Sequence, residues 1–168
     1  MLNGEIKKDK VIIKEDYGTI YDSLYGTKGK GFLELDLIEA CHLVEREKLE
    51  VLHKEKKLSF EKLYHYASEK TERFIEKYVV YKDLRERGLP VKIGYKGSDF
   101  KVYERGTGPN DLKNVKWVVF VESEDITCDF SMLEKISKMA ENIRAVALLG
   151  VMDNDTNITY YTINELSV

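Results

Sequence analysis

The spacing of apolar residues along this 168-residue chain changes several times, and each change marks an element. Val11-Ile12-Ile13 and Gly18-Thr19-Ile20-Tyr21 are rich in β-formers and separated by charged turns, so both are expected as short strands. Gly26, Gly29 and Gly31 then punctuate a loop. From Leu37 the apolar residues Leu37, Ile38, Ala40, Cys41 and Val44 recur at helical spacing. Asp36 ahead of them and Glu39 three residues later form a capping-box pattern, which fixes where that helix starts. Lys48-Leu49-Glu50-Val51-Leu52 alternates as a strand does. Ser59 caps a second helical region, with Glu61 near its start. Phe60, Leu63, Tyr64 and Ala67 mark the buried side of this region, and Phe74, Ile75, Tyr78, Val79 and Leu84 continue it to Gly88. Gly88 followed by Pro90 stops it.

Beyond Pro90 the texture becomes that of an α/β sheet. Val91–Tyr95 and Phe100–Arg105 are expected as a strand pair joined through Lys96-Gly97-Ser98, and Val115–Val121 as a strong strand. Met132, Leu133, Ile136, Met139, Ala140 and Ile143 fall on one side of a helix over Phe130–Ile143. Ala145–Met152 is nearly all apolar, as a strand buried on both faces must be. Asp153-Asn154-Asp155 turns the chain into a last strand, Ile158–Ile163. The expected class is α+β, with a small mixed domain over residues 1–77 and a second domain over 78–168 whose mixed sheet lies between helices.

Composition narrows the picture less than the pattern does. No apolar run approaches the ~20 residues that span a bilayer, and MLNGEIKKDK has no apolar stretch of the kind a secretory signal needs. Cys41 and Cys128 stand in unrelated contexts and suggest neither a disulfide framework nor a metal site, so a cytoplasmic location is expected. The net charge of −3 conceals an asymmetry. Residues 82–116 carry nine Lys/Arg against five Asp/Glu, whereas residues 117–168 carry three against nine. The basic stretch is suited to phosphate and the acidic end to a basic partner.

One stretch is far more specific. YVVYKDLRERGLPVKIGYKGSDFKVYERG, residues 78–106, resembles the opening of the catalytic domain of archaeal tRNA-splicing (tRNA-intron) endonucleases. In that family a helix with Y-x-x-Y-x-D-L-R-x-R-G leads through V-K-x-G into D-F-x-x-Y-E-R-G. The "LIEA", "KLEV" and "LSFEKL" segments between Leu35 and Leu63 resemble the family's N-terminal domain, and DNDTNITYYTI its terminal hairpin. The resemblance implies metal-free and cofactor-free RNA cleavage, in which a 2′-OH attacks the adjacent phosphorus to leave a 2′,3′-cyclic phosphate and a 5′-OH. Such a step needs a base, an acid and a cation for the phosphorane, roles that the family gives to Tyr, His and Lys.

The Tyr position is Tyr103, but the His position is Asn114 and the Lys position, after Arg144, is Ala145. An amide donates no proton near neutral pH, and a methyl group carries no charge. Where the family holds a bulge base with Arg stands Lys138, which lacks the planar fork. His42, His53 and His65 all lie in the N-terminal half. The chain is therefore most like the family's structural, non-catalytic subunit. The resemblance then implies a catalytic endonuclease subunit as partner, a heterodimer assembling to a heterotetramer, and precursor tRNA with a bulge–helix–bulge motif as substrate. Lys101, Arg105, Lys113, Lys116 and Lys138 are the candidate RNA contacts. Asp153 and Asp155, in the loop that docks into a neighbouring subunit in the family, join Ile158, Tyr160 and Ile163 of the last strand as the candidate interface. Two other readings stay open: a self-sufficient nuclease with a displaced acid and lysine, and an RNA-binding assembly factor.

Overall fold

The computed structural model describes residues 1–94 and 97–165, which divide into two compact units at Tyr78/Val79. The first unit holds β1 (Leu2–Lys7), β2 (Lys10–Ile13), α1 (Gly18–Asp22), β3 (Thr27–Lys28), β4 (Leu33–Asp36), α2 (Leu37–Glu45), β5 (Leu49–His53), β6 (Lys56–Lys57) and α3 (Phe60–Lys70). Its six strands run in the order β3-β4-β2-β1-β5-β6, with β1 and β5 parallel and the rest antiparallel. Val11, Ile13, Leu33, Leu35, Leu49 and Val51 are fully buried together with Leu37, Ala40 and Cys41 of α2.

The capping box forms as its sequence requires. The Asp36 carboxylate accepts from the Ile38 amide at 2.9 Å, and Glu39 Oε2 accepts from the Asp36 amide at 2.9 Å. Both cysteines are free, Cys41 buried and Cys128 exposed.

Two local expectations are corrected. Gly18–Tyr21 is helical, because the Tyr21 amide donates to the Tyr17 carbonyl at 3.0 Å and a single turn suffices to bury Ile20. Period-two alternation over four residues fits one helical turn almost as well. The helical region after Ser59 is two helices. Thr71 is extended and Arg73 takes a left-handed φ of 52°, so the chain breaks before α4 (Phe74–Glu86) begins. An aromatic cluster of Phe60, Tyr64, Phe74 and Tyr78 gathers at the break, and the Tyr78 hydroxyl donates to Glu45 at 2.6 Å.

The second unit contains the rest of α4, β7 (Val91–Ile93), β8 (Phe100–Val102), β9 (Trp117–Ser123), α5 (Phe130–Glu141), β10 (Val146–Met152) and β11 (Ile158–Ile163). Tyr95 and Lys96, expected to end the first strand and open its turn, lie outside the described residues. The strand order is β11-β10-β9-β8-β7, with β9 and β10 parallel across α5 and every other pair antiparallel. One face of this sheet packs Val118, Phe120, Ala147 and Leu149 against Ile136 and Ala140 of α5. The other face lies under α4, where the Tyr81 and Phe100 rings meet at 5.5 Å. A Cβ on Gly150 would lie 3.3 Å from the Tyr160 ring and 3.5 Å from Val80, so glycine at the centre of β10 is what allows this close approach. Gly88, with φ of 78°, ends the helical stretch by supplying the left-handed residue that carbon side chains avoid.

Candidate functional site

The short strand β8 and the starts of β9 and β10 finish at one edge of the second sheet, and backbone hydrogen bonds fix which residues meet there. The Tyr103 amide donates to the Pro90 carbonyl at 3.0 Å, the Lys116 amide to Val102 at 2.8 Å, and the Val146 amide to Lys116 at 3.2 Å. Lys116 therefore lies between the strand of Tyr103 and the strand of Ala145. Asn114 is exposed, two residues before it. Tyr103 and Ala145, 42 residues apart in sequence, are thus brought to neighbouring strand ends on either side of Lys116, with Asn114 in the loop that leads into β9.

Their chemistry is weak. Tyr103 is only 4% exposed, and burial lifts its phenol above the usual range, making it a poorer source of phenolate. Its hydroxyl has no hydrogen-bond partner among the described residues. Ala145 packs its methyl against the core beneath α5, with Arg144 before it in the left-handed region at φ 56°. Beside Ala145 a cavity of about 270 Å³ is lined by Ser137, Ala140, Glu141, Arg144, Ile163 and Glu165. Lys116 is the cation nearest this junction by backbone hydrogen bonding. Its Nζ lies 3.3 Å from Glu104 Oε1 and 4.4 Å from the centroid of the Trp117 ring.

The remaining candidate RNA contacts are spread out. Lys113 is exposed in the loop before β9. Arg105 is exposed too, but its Nε and Nη2 donate to the Arg87 carbonyl at 3.2 and 2.8 Å, closing the chain just past the end of α4. Lys138 pairs with Glu134 one helical turn earlier at 2.8 Å, and that hydrogen bond raises its pKa. Lys101 stands opposite Lys92 in the β7–β8 register, a juxtaposition that strand pairing decides and local sequence does not display.

At the opposite strand ends, Asp153 organises the β10–β11 turn. Its Oδ1 accepts from the Asp155 and Asn157 amides, each at 2.9 Å, while Oδ2 accepts from Asn157 Nδ2 at 3.1 Å. The backbone bond from Asn157 is the main reason its carboxyl titrates below the usual range. The Asp155 carboxylate is exposed and has no ion pair among the described residues. Glu124 joins this end by accepting from the Asn154 amide at 3.2 Å. Because the folded-state pKa of Asp153 is depressed, its hold on the turn is complete above the ordinary value of 3.8 and lost as pH falls through the lower folded value. Amide exchange at Asp155 and Asn157, followed by NMR, is expected to quicken selectively on acidification below that value. Unchanged protection there would contradict the assignment.

Residues of β11 divide by face. The Tyr160 hydroxyl donates to Asp83 Oδ2 at 2.6 Å beneath the Arg87 guanidinium, so this side chain is tied to α4, and burial raises its pKa. Ile158 is half-buried, and Ile163 packs against the core under α5. Tyr161, 51% exposed, faces outward from this edge strand. Asp83 stands in the Y-x-x-Y-x-D-L-R stretch, which gave no hint of its partner, and Glu124 lies outside every motif; only the fold brings them to Tyr160 and Asn154.

These strand ends coincide with sequence matches along nearly the whole chain. Residues 74–160 match the model of the tRNA intron endonuclease catalytic C-terminal domain, and residues 2–64 match its N-terminal domain. The chain belongs to the tRNA intron endonuclease family. A tRNA-splicing endonuclease from Thermococcus gammatolerans is 38% identical over 140 residues, covering 83% of this chain and 81% of the relative. One from Methanococcus vannielii is 32% identical over 169 residues, covering 98% and 94%. One from Methanococcoides burtonii is 38% identical over 164 residues, and there the chain spans 96% of itself but only 46% of the relative. The α+β architecture is that expected for this tRNA intron endonuclease family. No helix among the described residues is long and apolar enough to cross a membrane.

Proposed function

We propose that this chain is a structural subunit of a tRNA-splicing endonuclease, cutting nothing itself and completing an assembly in which a catalytic relative does the chemistry. The substrate would be precursor tRNA with a bulge–helix–bulge motif, cleaved at intron boundaries to 2′,3′-cyclic phosphate and 5′-OH ends. The observation that carries this reading is the chemistry at the three positions. An amide stands at Asn114, a methyl group at Ala145, and at Tyr103 a buried phenol without a hydrogen-bond partner among the described residues. General acid catalysis and cationic stabilisation of the phosphorane both need groups that these positions lack.

The length relation supports a partner of like size. In the Methanococcoides burtonii protein, 54% of the chain is left beyond the stretch that this chain accounts for, which is room for a second such unit. Here the partner would be a separate polypeptide, met through the Asp155 loop and the free edge of β11 and building a heterotetramer from two heterodimers.

Reconstitution tests the reading. Alone, the purified chain is expected to leave an intron-containing precursor tRNA intact. Co-expressed with a catalytic endonuclease subunit of the same genome, it is expected to yield a complex of heterotetramer mass with splicing activity that neither chain shows separately. Accurate cleavage at both junctions by the lone chain would overturn the proposal.

A further inference from the structure

The cavity of about 270 Å³ beside Ala145 lies between the last turns of α5 and the end of β11, and its lining is chemically active. Ser137 is 7% exposed, and its hydroxyl has no hydrogen-bond partner among the described residues, although helical serines commonly turn theirs onto the carbonyl one turn earlier. A buried hydroxyl left unpaired costs free energy until a guest satisfies it. Glu141 and Glu165 stand at the same cavity, neither in an ion pair among the described residues, and so does Arg144, likewise without one. Lys138 is committed first to Glu134 and meets Glu165 and Glu141 only as weaker, secondary charges. Arg144 also takes the left-handed position, φ 56°, that closes the helix above the 2.9 Å bond from the Ala145 amide to the Ala140 carbonyl. Glycine fills such a position without strain, so a long side chain kept there points to use. Two carboxylates against one guanidinium leave the lining with one net negative charge, within residues 117–168 where acids outnumber bases nine to three. A single cation completes that balance. The volume falls just below the roughly 300–1,000 Å³ of sites for drug-sized ligands, which leaves room for one long side chain.

We propose that this cavity seats one arginine side chain supplied by a partner protein chain, its stem against Ala145 and Ile163 and its guanidinium donating to Glu141, Glu165 and Ser137. This rests on reading the chain as a splicing-endonuclease subunit, and it names what the partner must bring. Several acceptors around one cavity suit a planar group with five N–H donors better than the point charge of lysine. The way in is the outer edge of β11. Among the described residues that strand pairs only with β10, and Ile163 both ends it and lines the cavity. A partner strand laid along this edge carries alternate side chains past the opening. The methyl group of Ala145 then has a use, because a longer side chain at that position would take up the space the arginine enters.

The first arm of the test needs no partner: NMR of the purified chain titrated with N-acetyl-arginine amide. Saturable shifts are expected at the Ser137, Ala145 and Asn164 amides, with weaker binding by the corresponding lysine amide. The uncharged citrulline analogue and inorganic phosphate are expected to leave those amides unmoved. The double variant Glu141→Gln, Glu165→Gln is expected to weaken binding at least about tenfold, and Ser137→Ala roughly fivefold. Thermal melting checks that each variant folds. If the double variant melts low, Glu165→Gln alone, which lies outside every helix and strand, carries the measurement. The second arm follows dissociation from a catalytic endonuclease subunit of the same genome by surface plasmon resonance. The double variant is expected to leave at least about ten times faster, since losing one side of a desolvated charge pair acts on the dissociation rate. The absence of saturable shifts, or equal shifts with the citrulline analogue, rules the assignment out. Saturation by phosphate does so too, because it makes this an anion site on Arg144. A chain that takes the arginine amide yet never joins a catalytic subunit sinks the proposed function and leaves a guanidinium site standing. A chain that joins fully, and from which the double variant differs in nothing, sinks this inference alone.

Discussion

Single-turnover cleavage of an intron-containing precursor tRNA by this chain alone is expected to be slower than that of a relative with all three catalytic groups by at least about 10,000-fold. The figure follows from the two missing groups. A positioned general acid contributes roughly 100-fold or more, and a charge aimed at the developing phosphorane roughly another 100-fold. Asn114 and Ala145 supply neither. Lys116 does not substitute, because its ammonium is engaged by Glu104 and held against Trp117, and a lysine that shares its charge with a carboxylate offers less to a phosphorane. Nor does alkaline pH rescue the reaction through Tyr103. Burial has moved that phenol upward, so the phenolate fraction at any pH below its folded pKa is smaller than for an exposed tyrosine. The measurement compares cleavage rates at saturating protein over pH 6–9, which keeps binding out of the comparison. A rate within a hundredfold of a complete enzyme would mean that other groups act as acid and cation. A steep rise with pH, abolished in Tyr103→Phe, would identify this phenol as a working base.

What the sequence made legible was local or dense. The capping box at Asp36 and Glu39, the amphipathic face over Phe130–Ile143 and the apolar run at Ala145–Met152 each carry enough residues of one period to select one structure. Gly18–Tyr21 did not, because four residues cannot separate a half-buried strand from a single helical turn, and burial of Ile20 decided it. The break at Thr71–Arg73 was hidden for a different reason. The apolar spacing continues across it, while the stop comes from a left-handed backbone at a residue other than glycine. Of the site, the motif around Tyr103 was readable in order and spacing. Its burial was not, nor was the assignment of Arg105 to the Arg87 carbonyl or of Tyr160 to Asp83, since these depend on contacts between elements remote in sequence. The Lys92–Lys101 opposition belongs to the same class, because charge counting finds the basic stretch and only strand register finds the pair.

Replacing Tyr81 with alanine is expected to cost the second unit about 4 kcal/mol, enough to unfold it under conditions where the wild type is native. Tyr81 is fully buried, with its ring 5.5 Å from that of Phe100 on β8. Its hydroxyl accepts from Arg85 Nε at 3.0 Å, and the Arg85 guanidinium lies 5.4 Å over the ring while donating from Nη2 to the Val91 carbonyl at 2.7 Å. One side chain therefore ties α4 to β8 by packing and reaches β7 through Arg85, the two strands that present Lys92 and Lys101. Truncation removes the buried area, leaves a cavity and frees Arg85 from its anchor, and a large aromatic-to-alanine change in a core falls in the range of about 3–5 kcal/mol. Tyr81→Phe separates the terms: it keeps the ring and is expected to cost only about 1 kcal/mol for the lost hydrogen bond. Urea unfolding followed by near-ultraviolet circular dichroism reads both variants. A Tyr81→Ala penalty below about 2 kcal/mol would show that the α4 face of the sheet can close around the gap, as a close-packed interior cannot. If the penalty is as large as expected, amide-exchange protection across β7 and β8 should disappear with the fold in Tyr81→Ala and survive in Tyr81→Phe, because the two strands stay in register only while α4 is held over them.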